Sequence, residues 1–168
     1  MTYVTYGGVT VGLLILAYHL TTWYPGWKAL RAAPVHHAAT LLPFLLAWVY
    51  GVLTILGIGG LIGWAARTAR WIANWLGDVA LVWGVGGHTG QHAGPVTYLP
   101  LTQAGGAVVL ILTVVMAALV KKSRHGTHIK WGALCGICLG TSAGIAGFAA
   151  APLALAVNWL GDSVYGAL

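Results

Sequence analysis

Long apolar runs, punctuated by short clusters of Gly, Pro, Lys and Arg, set the pattern of this chain. Four runs predict helices. The first covers about residues 3–22 and stops at Trp23, Tyr24, Pro25 and Gly26. The second covers about residues 41–64, after a loop that holds Lys28, Arg31 and Pro34. The third begins at Leu101 or Ala104 and runs to Val120, ahead of Lys121 and Lys122. The fourth covers about residues 131–150, with Pro152 near its end. None of them alternates apolar and polar positions as a half-buried strand would. Each approaches the ~20 apolar residues that let a helix cross a bilayer. The fold class expected is all-α, with four transmembrane helices arranged as two tandem helical hairpins.

Residues 65–84 follow a different pattern. Arg67, Arg70, Asn74 and Asp78 recur at helical spacing and share one face, while Trp64, Trp71 and Trp75 lie largely on another. This predicts an amphipathic helix lying in the membrane interface after the second span. If it crossed the membrane instead, its polar stripe would have to face a pore or a partner helix.

Composition strengthens the membrane reading. The chain of 168 residues is 59% hydrophobic and 6% charged, and its mean hydropathy is +0.85. Soluble domains carry about 25% charged residues. The net charge of +6 calls for no nucleic acid, since so few cations would bind DNA weakly and without sequence preference. Lys28, Arg31, Lys121, Lys122, Arg124 and Lys130 instead read as cytoplasmic loop charges in contact with lipid headgroups. Four spans place both basic loops on one side, whereas five would split them. The expectation is a multi-pass protein of the cytoplasmic membrane with both termini outside.

The pentapeptide NWLGD occurs at residues 74–78 and again at 158–162, and it holds every Asn and every carboxylate of the chain. The match extends upstream without a gap, with 9 of 20 positions identical between residues 59–78 and 143–162. This points to a tandem duplication, residues 1–84 and 85–168, each unit ending in or just beyond its pentad. In this reading Asn74, Trp75 and Asp78, with Asn158, Trp159 and Asp162, are interfacial anchors on the outer side. Arg67 and Arg70 are the expected charge partners of Asp162, whose own segment has no cation.

Gly132, Gly136, Gly140 and Gly144 form a stripe at every fourth position, a pattern that lets another backbone approach closely. It is the expected packing surface, inside the chain or in a homo-oligomer. Cys135 and Cys138 form C-G-I-C within an apolar run and read as small packing residues. The pairs His36/His37, His88/His92 and His125/His128 have no acidic ligand nearby and read as interfacial groups, so no metal site is expected.

Catalytic chemistry has little to work with. Glutamate is absent, no carboxylate pair stands out, and no G-x-x-x-x-G-K loop occurs. The chain is not expected to be an enzyme. No cofactor is expected, and a bound phospholipid is the one small molecule the composition leaves room for.

The segment GDVALVWGVGG, residues 77–87, in a small Gly/Ala/Trp-rich chain resembles the spread-type membrane proteins of actinobacterial conjugative plasmids. The layout of each half is also similar to a type IV secretion pilin, two apolar helices joined by a basic loop. The resemblance implies a non-enzymatic, homo-oligomeric pore or filament subunit that assists DNA transfer beside a DNA translocase of the same element. No catalytic residue carries over. A phage holin and a small transporter or channel subunit are the alternatives.

Overall fold

A computed structural model describes residues 5–57, 59–88, 101–123, 126–140 and 145–167. Seven helices form among them and no strand: α1 (Tyr6–Trp23), α2 (Trp27–Ala32), α3 (Pro34–Leu56), α4 (Gly60–Val85), α5 (Gln103–Lys122), α6 (Gly126–Leu139) and α7 (Ile145–Gly166). Local chemistry sets most of the boundaries. Thr5 caps α1 by accepting from Gly8 N–H at 3.2 Å, and Thr102 caps α5 by accepting from Gly105 N–H at 3.1 Å. Pro34 opens α3, where its missing N–H costs nothing. Gly86 closes α4 in the left-handed region at φ 71°, a conformation that glycine adopts without a Cβ penalty. Lys121 and Lys122 lie in the last turn of α5, where cations favour the carbonyl end of the dipole.

The centre of the molecule is α3 against α6, the most extensive helix contact among those described. Gly132 meets the carbonyl of Phe44, Gly136 meets that of Trp48, and Gly140 meets Val52. The order ascends in both helices, so they run parallel. Gly51 of α3 returns the contact against the carbonyl of Ala133. Backbone thus touches backbone along the seam, and Phe44, Ala47, Val52, Leu53, Cys135 and Cys138 beside it are almost completely buried.

The glycine stripe is therefore filled from within the chain by α3. A homo-oligomer built through Gly132, Gly136 and Gly140 is incompatible with this arrangement; Gly144 lies outside the described residues. The expected fourth span over 131–150 is also revised. Helix α6 ends at Leu139, and α7 is a separate helix from Ile145. The second run stops early for a related reason: α3 ends at Leu56, and glycines 57, 59 and 60 turn the chain into α4.

Two further helices flank the seam. Helix α1 runs antiparallel to α6, with Gly12 on Leu139 and Cys138 near one end and His19 beside His128 near the other. Helix α5 runs antiparallel to α3, with Leu101, just ahead of α5, against the cluster of Val52, Leu56, Ala150 and Ala154, and Met116 beside Ala47. One end of the bundle, here the lower, collects α2 with Lys28 and Arg31, the last turn of α5 with Lys121 and Lys122, and Lys130 in α6. Arg31 stacks over Trp27 at 5.2 Å.

By length and composition, α3 and α5 are apolar enough to cross a membrane, with mean hydropathies of 2.0 and 2.3 in their most apolar windows. The seam is testable. Gly136→Leu should cost about 1–3 kcal/mol of folding free energy, at the upper end because the opposing atoms are backbone. Gly84→Ala, where a Cβ meets open space, should instead stabilise by about 0.5–1 kcal/mol. Chemical unfolding in mild detergent, followed by helical circular dichroism, reads both.

Candidate functional site

Each pentad docks on the first turn of another helix. Helix α4 leaves the upper end of α3, where Arg67 Nη1 donates to Gly57 O at 3.3 Å. It carries Arg70 beside Cys138 of α6 and reaches α1 at Asn74–Asp78. There Asn74 Oδ1 lies against the Cα of Gly8, and Gly77 packs backbone-to-backbone on Gly7, with the Asp78 N–H alongside. Helix α7 takes the corresponding route. Ala150 and Ala154 pack with Val52 and Leu56 of α3, and Asn158 and Gly161 then meet the first turn of α5.

The second joint shows the chemistry in full. Asn158 Oδ1 accepts from Thr102 N–H at 2.9 Å and from Thr102 Oγ1 at 3.3 Å. Gly105 leaves room for that oxygen, and Gly161 rests on Ala104 and the Gly105 amide. The N-terminal turn of a helix exposes N–H groups that have no partner within the helix. A side-chain carbonyl brought there from another helix stabilises the turn and fixes the crossing at once. The asparagine supplies the acceptor, and the glycine three residues later lets the backbones approach.

The receiving side of each joint carries a sequence pattern of its own. Thr5-Tyr-Gly-Gly8 and Thr102-Gln-Ala-Gly105 both carry a capping threonine with small residues two and three positions on. A threonine cap with glycine three positions on, ahead of an apolar run, was the available signal.

The tryptophans of the pentads do not join these contacts. Trp75 is 59% exposed and Trp159 is 70% exposed. The polar stripe of α4 is turned inward onto α1 and α6 while Trp64, Trp71 and Trp75 point out, with Arg70 only 4% exposed. The reason is steric. The stripe shares its face with Gly63, Ala66, Ala73 and Gly77, the residues small enough to admit a neighbouring helix.

The expected pairing of Asp162 with Arg67 or Arg70 is not built within the chain. Asp162 is exposed and borders a cavity with Thr102, Gln103, Ala104 and Tyr165. Arg67 Nη1 donates to Gly57 O, and Arg70 lies at α6. Arg124, His92 and His125 lie outside the described residues.

At the lower end, His19 is buried between Phe44 at 4.6 Å and His128 at 5.3 Å, measured between ring centroids. Its Nε2 has no hydrogen-bond partner among the described residues. No three His, Cys, Asp or Glu side chains converge among the described residues as a metal site would require. Cys135 and Cys138 are free thiols with no exposed surface, and Cys135 Sγ donates to Gly12 O at 3.3 Å. They fill the α1–α6 contact. Compared with known proteins, the chain matches no family model, no curated protein and no solved structure.

The joints predict a coupling. Asn158→Ala should cost about 1 kcal/mol through the lost cap. Gly105→Ala should cost about 1–3 kcal/mol by colliding with the Asn158 carboxamide. The double variant should be less destabilised than the sum of the two, because Asn158→Ala removes the obstacle. Unfolding midpoints of the four proteins measure this, and strict additivity would show that the contact is not formed.

Proposed function

We propose that this protein is a non-catalytic membrane subunit with four spans, α1, α3, α5 and α6, and with α4 and α7 crossing their outer ends. The observation that carries the reading is the surface of α5. Its most apolar window has a mean hydropathy of 2.3, yet only 11% of that window is buried. Leu110, Ile111, Val114, Val115 and Leu119 all face outward. A helix that apolar in a water-soluble protein would be covered. Leu13 and Leu14 of α1 and Leu42, Leu45 and Leu46 of α3 are exposed as well.

Helix α6 has 14 residues and reaches only about 21 Å, short of a ~30 Å hydrocarbon layer. It lies between α1 and α3, so it need not match the lipid thickness itself. The Lys and Arg residues gathered at the lower end agree with a cytoplasmic placement of that end. The two joints are what a tandem duplication of residues 1–84 and 85–168 would leave behind, and the membrane units would then be parallel repeats.

The assignment to conjugative DNA transfer follows the resemblance of residues 77–87 to spread-type proteins. In this reading the chain forms a homo-oligomeric pore or filament beside a DNA translocase and reads no DNA sequence. Because α3 occupies the α6 stripe, subunits meet through other faces.

Topology is the decisive test. In a background lacking Cys135 and Cys138, Lys121→Cys should react with an impermeant maleimide only in inverted vesicles, and Ser163→Cys only in intact cells. Reaction of both from the same side would overturn the four-span arrangement. Loss of the gene should lower plasmid spread without slowing growth. Abrupt arrest of a host that expresses the protein would mark a lysis protein instead.

A further inference from the structure

Two adjoining cavities lie where α3, α4 and α5 meet, and nothing in the function above uses them. Each holds about 370 Å3, and they share Thr54, Leu61 and Ile62. Ligand sites in proteins begin at about 300 Å3. The space exists because α5 touches α3 at separated points. Leu101 packs beside Val52 and Leu56 near the upper end, and Tyr50 Oη donates to Thr113 Oγ1 at 3.0 Å lower down. The α1–α6 contact on the other flank is closed by Gly12 on Leu139 and Cys138.

The walls are mainly apolar, with Thr54, Thr102 and Gln103 the polar side chains of the upper cavity. Leu61, Ile62, Val109 and Leu110 line the upper cavity, and Ala65 and Ala69 line the lower. The lips are apolar too: Leu61 is 81% exposed and Leu110 is 57% exposed. A water-soluble ligand would have to pass through lips that repel water, whereas a hydrocarbon chain already in the bilayer would not.

One charge lies beside the upper cavity, touching its wall without itself lining it. Arg67 Nη1 reaches Gly57 O at 3.3 Å, and it also borders Gly63; both glycines line the upper cavity. That single contact uses one of five guanidinium donors, and no carboxylate pairs with Arg67 among the described residues. The first turn of α4, which has no side-chain cap and no acidic residue, lines the same cavity. Its free N–H groups add positive potential.

We infer that this pocket holds one molecule of an anionic phospholipid, with an acyl chain between α3, α4 and α5 and its phosphate on Arg67. The inference rests on the membrane reading above. It differs from general headgroup contact by the basic loops, which lie at the other end of the bundle. The phosphate would accept bidentate hydrogen bonds from the guanidinium, and the chain would cover apolar walls that otherwise stay open. The lipid would brace α5 against the rest of the bundle.

The test is native mass spectrometry of the full chain in detergent, titrated with phosphatidylglycerol or phosphatidylcholine of identical chains. The wild type should retain phosphatidylglycerol about tenfold more tightly, the scale of one charge-assisted contact. Arg67→Gln should erase that preference. Gly106→Leu should lower occupancy by both lipids, because Gly106 lines the cavity and a Cβ there meets open space. Ala65→Leu replaces it if circular dichroism shows that Gly106→Leu has not folded. Equal retention of the two lipids by the wild type would overturn the site, as would a preference that survives Arg67→Gln. Displacement by sn-glycerol 3-phosphate alone would also overturn it, by assigning Arg67 to a soluble phosphate. Flotation with neutral phosphatidylcholine vesicles reports on the membrane reading separately. Failure to float sinks that reading, whereas flotation without a phosphatidylglycerol preference sinks only the site.

Discussion

Backbone contact between α3 and α6 is the constraint on which the other helices depend. Gly132, Gly136 and Gly140 on one side, with Gly51 on the other, bring the two helices together without side chains between them. In the membrane setting proposed above, helices gain little from hydrophobic association, so close packing would supply the attraction. Burial of Phe44, Val52, Leu53, Cys135 and Cys138 around the seam follows from that approach. Helices α1 and α5 then find surfaces to lie on, α1 along α6 and α5 along α3.

The pentads act one level above the seam. A helix crossing the end of a bundle is held only if its contacts are directional, because an apolar face can slide. Asn158 gives direction through its hydrogen bonds to Thr102, and Gly161 gives proximity. Asn74 and Gly77 occupy the matching places on Gly8 and Gly7. At the second joint the asparagine thus meets a helix start, where N–H groups without a partner in the helix make an acceptor most useful. The tryptophans between them are left outward, at positions suited to a headgroup layer.

Much of this was legible in the sequence, and the remainder has a physical explanation. Helical class, the breaks at Pro25 and Pro34, the end of α5 at its lysines and the importance of NWLGD all follow from local chemistry. A stripe such as Gly132–Gly136–Gly140 announces that something approaches, but periodicity cannot say that the partner is Phe44–Val52 of the same chain. Arg70 reads as a charge on a polar face until the small residues beside it are counted, and they turn that face inward. Complementary charge in a sequence carries no distance, and within the chain Arg67 reaches Gly57 and Arg70 lies at α6 while Asp162 stays exposed. The break after Leu139 was hidden because glycines serve equally as packing residues and as helix ends.

The parallel seam also has a consequence for biosynthesis. Helix α3 lies in the first half of the chain and its partner α6 in the second, with α4 and α5 made in between. At roughly 5–20 residues per second, α3 waits on the order of seconds before α6 exists. Its side of the seam, including Gly51 and the Trp48 carbonyl, faces something else in that interval. The half-made protein is therefore a distinct molecular species, with a lifetime set by the ribosome and a sticky helix face that a neighbouring nascent chain could occupy first.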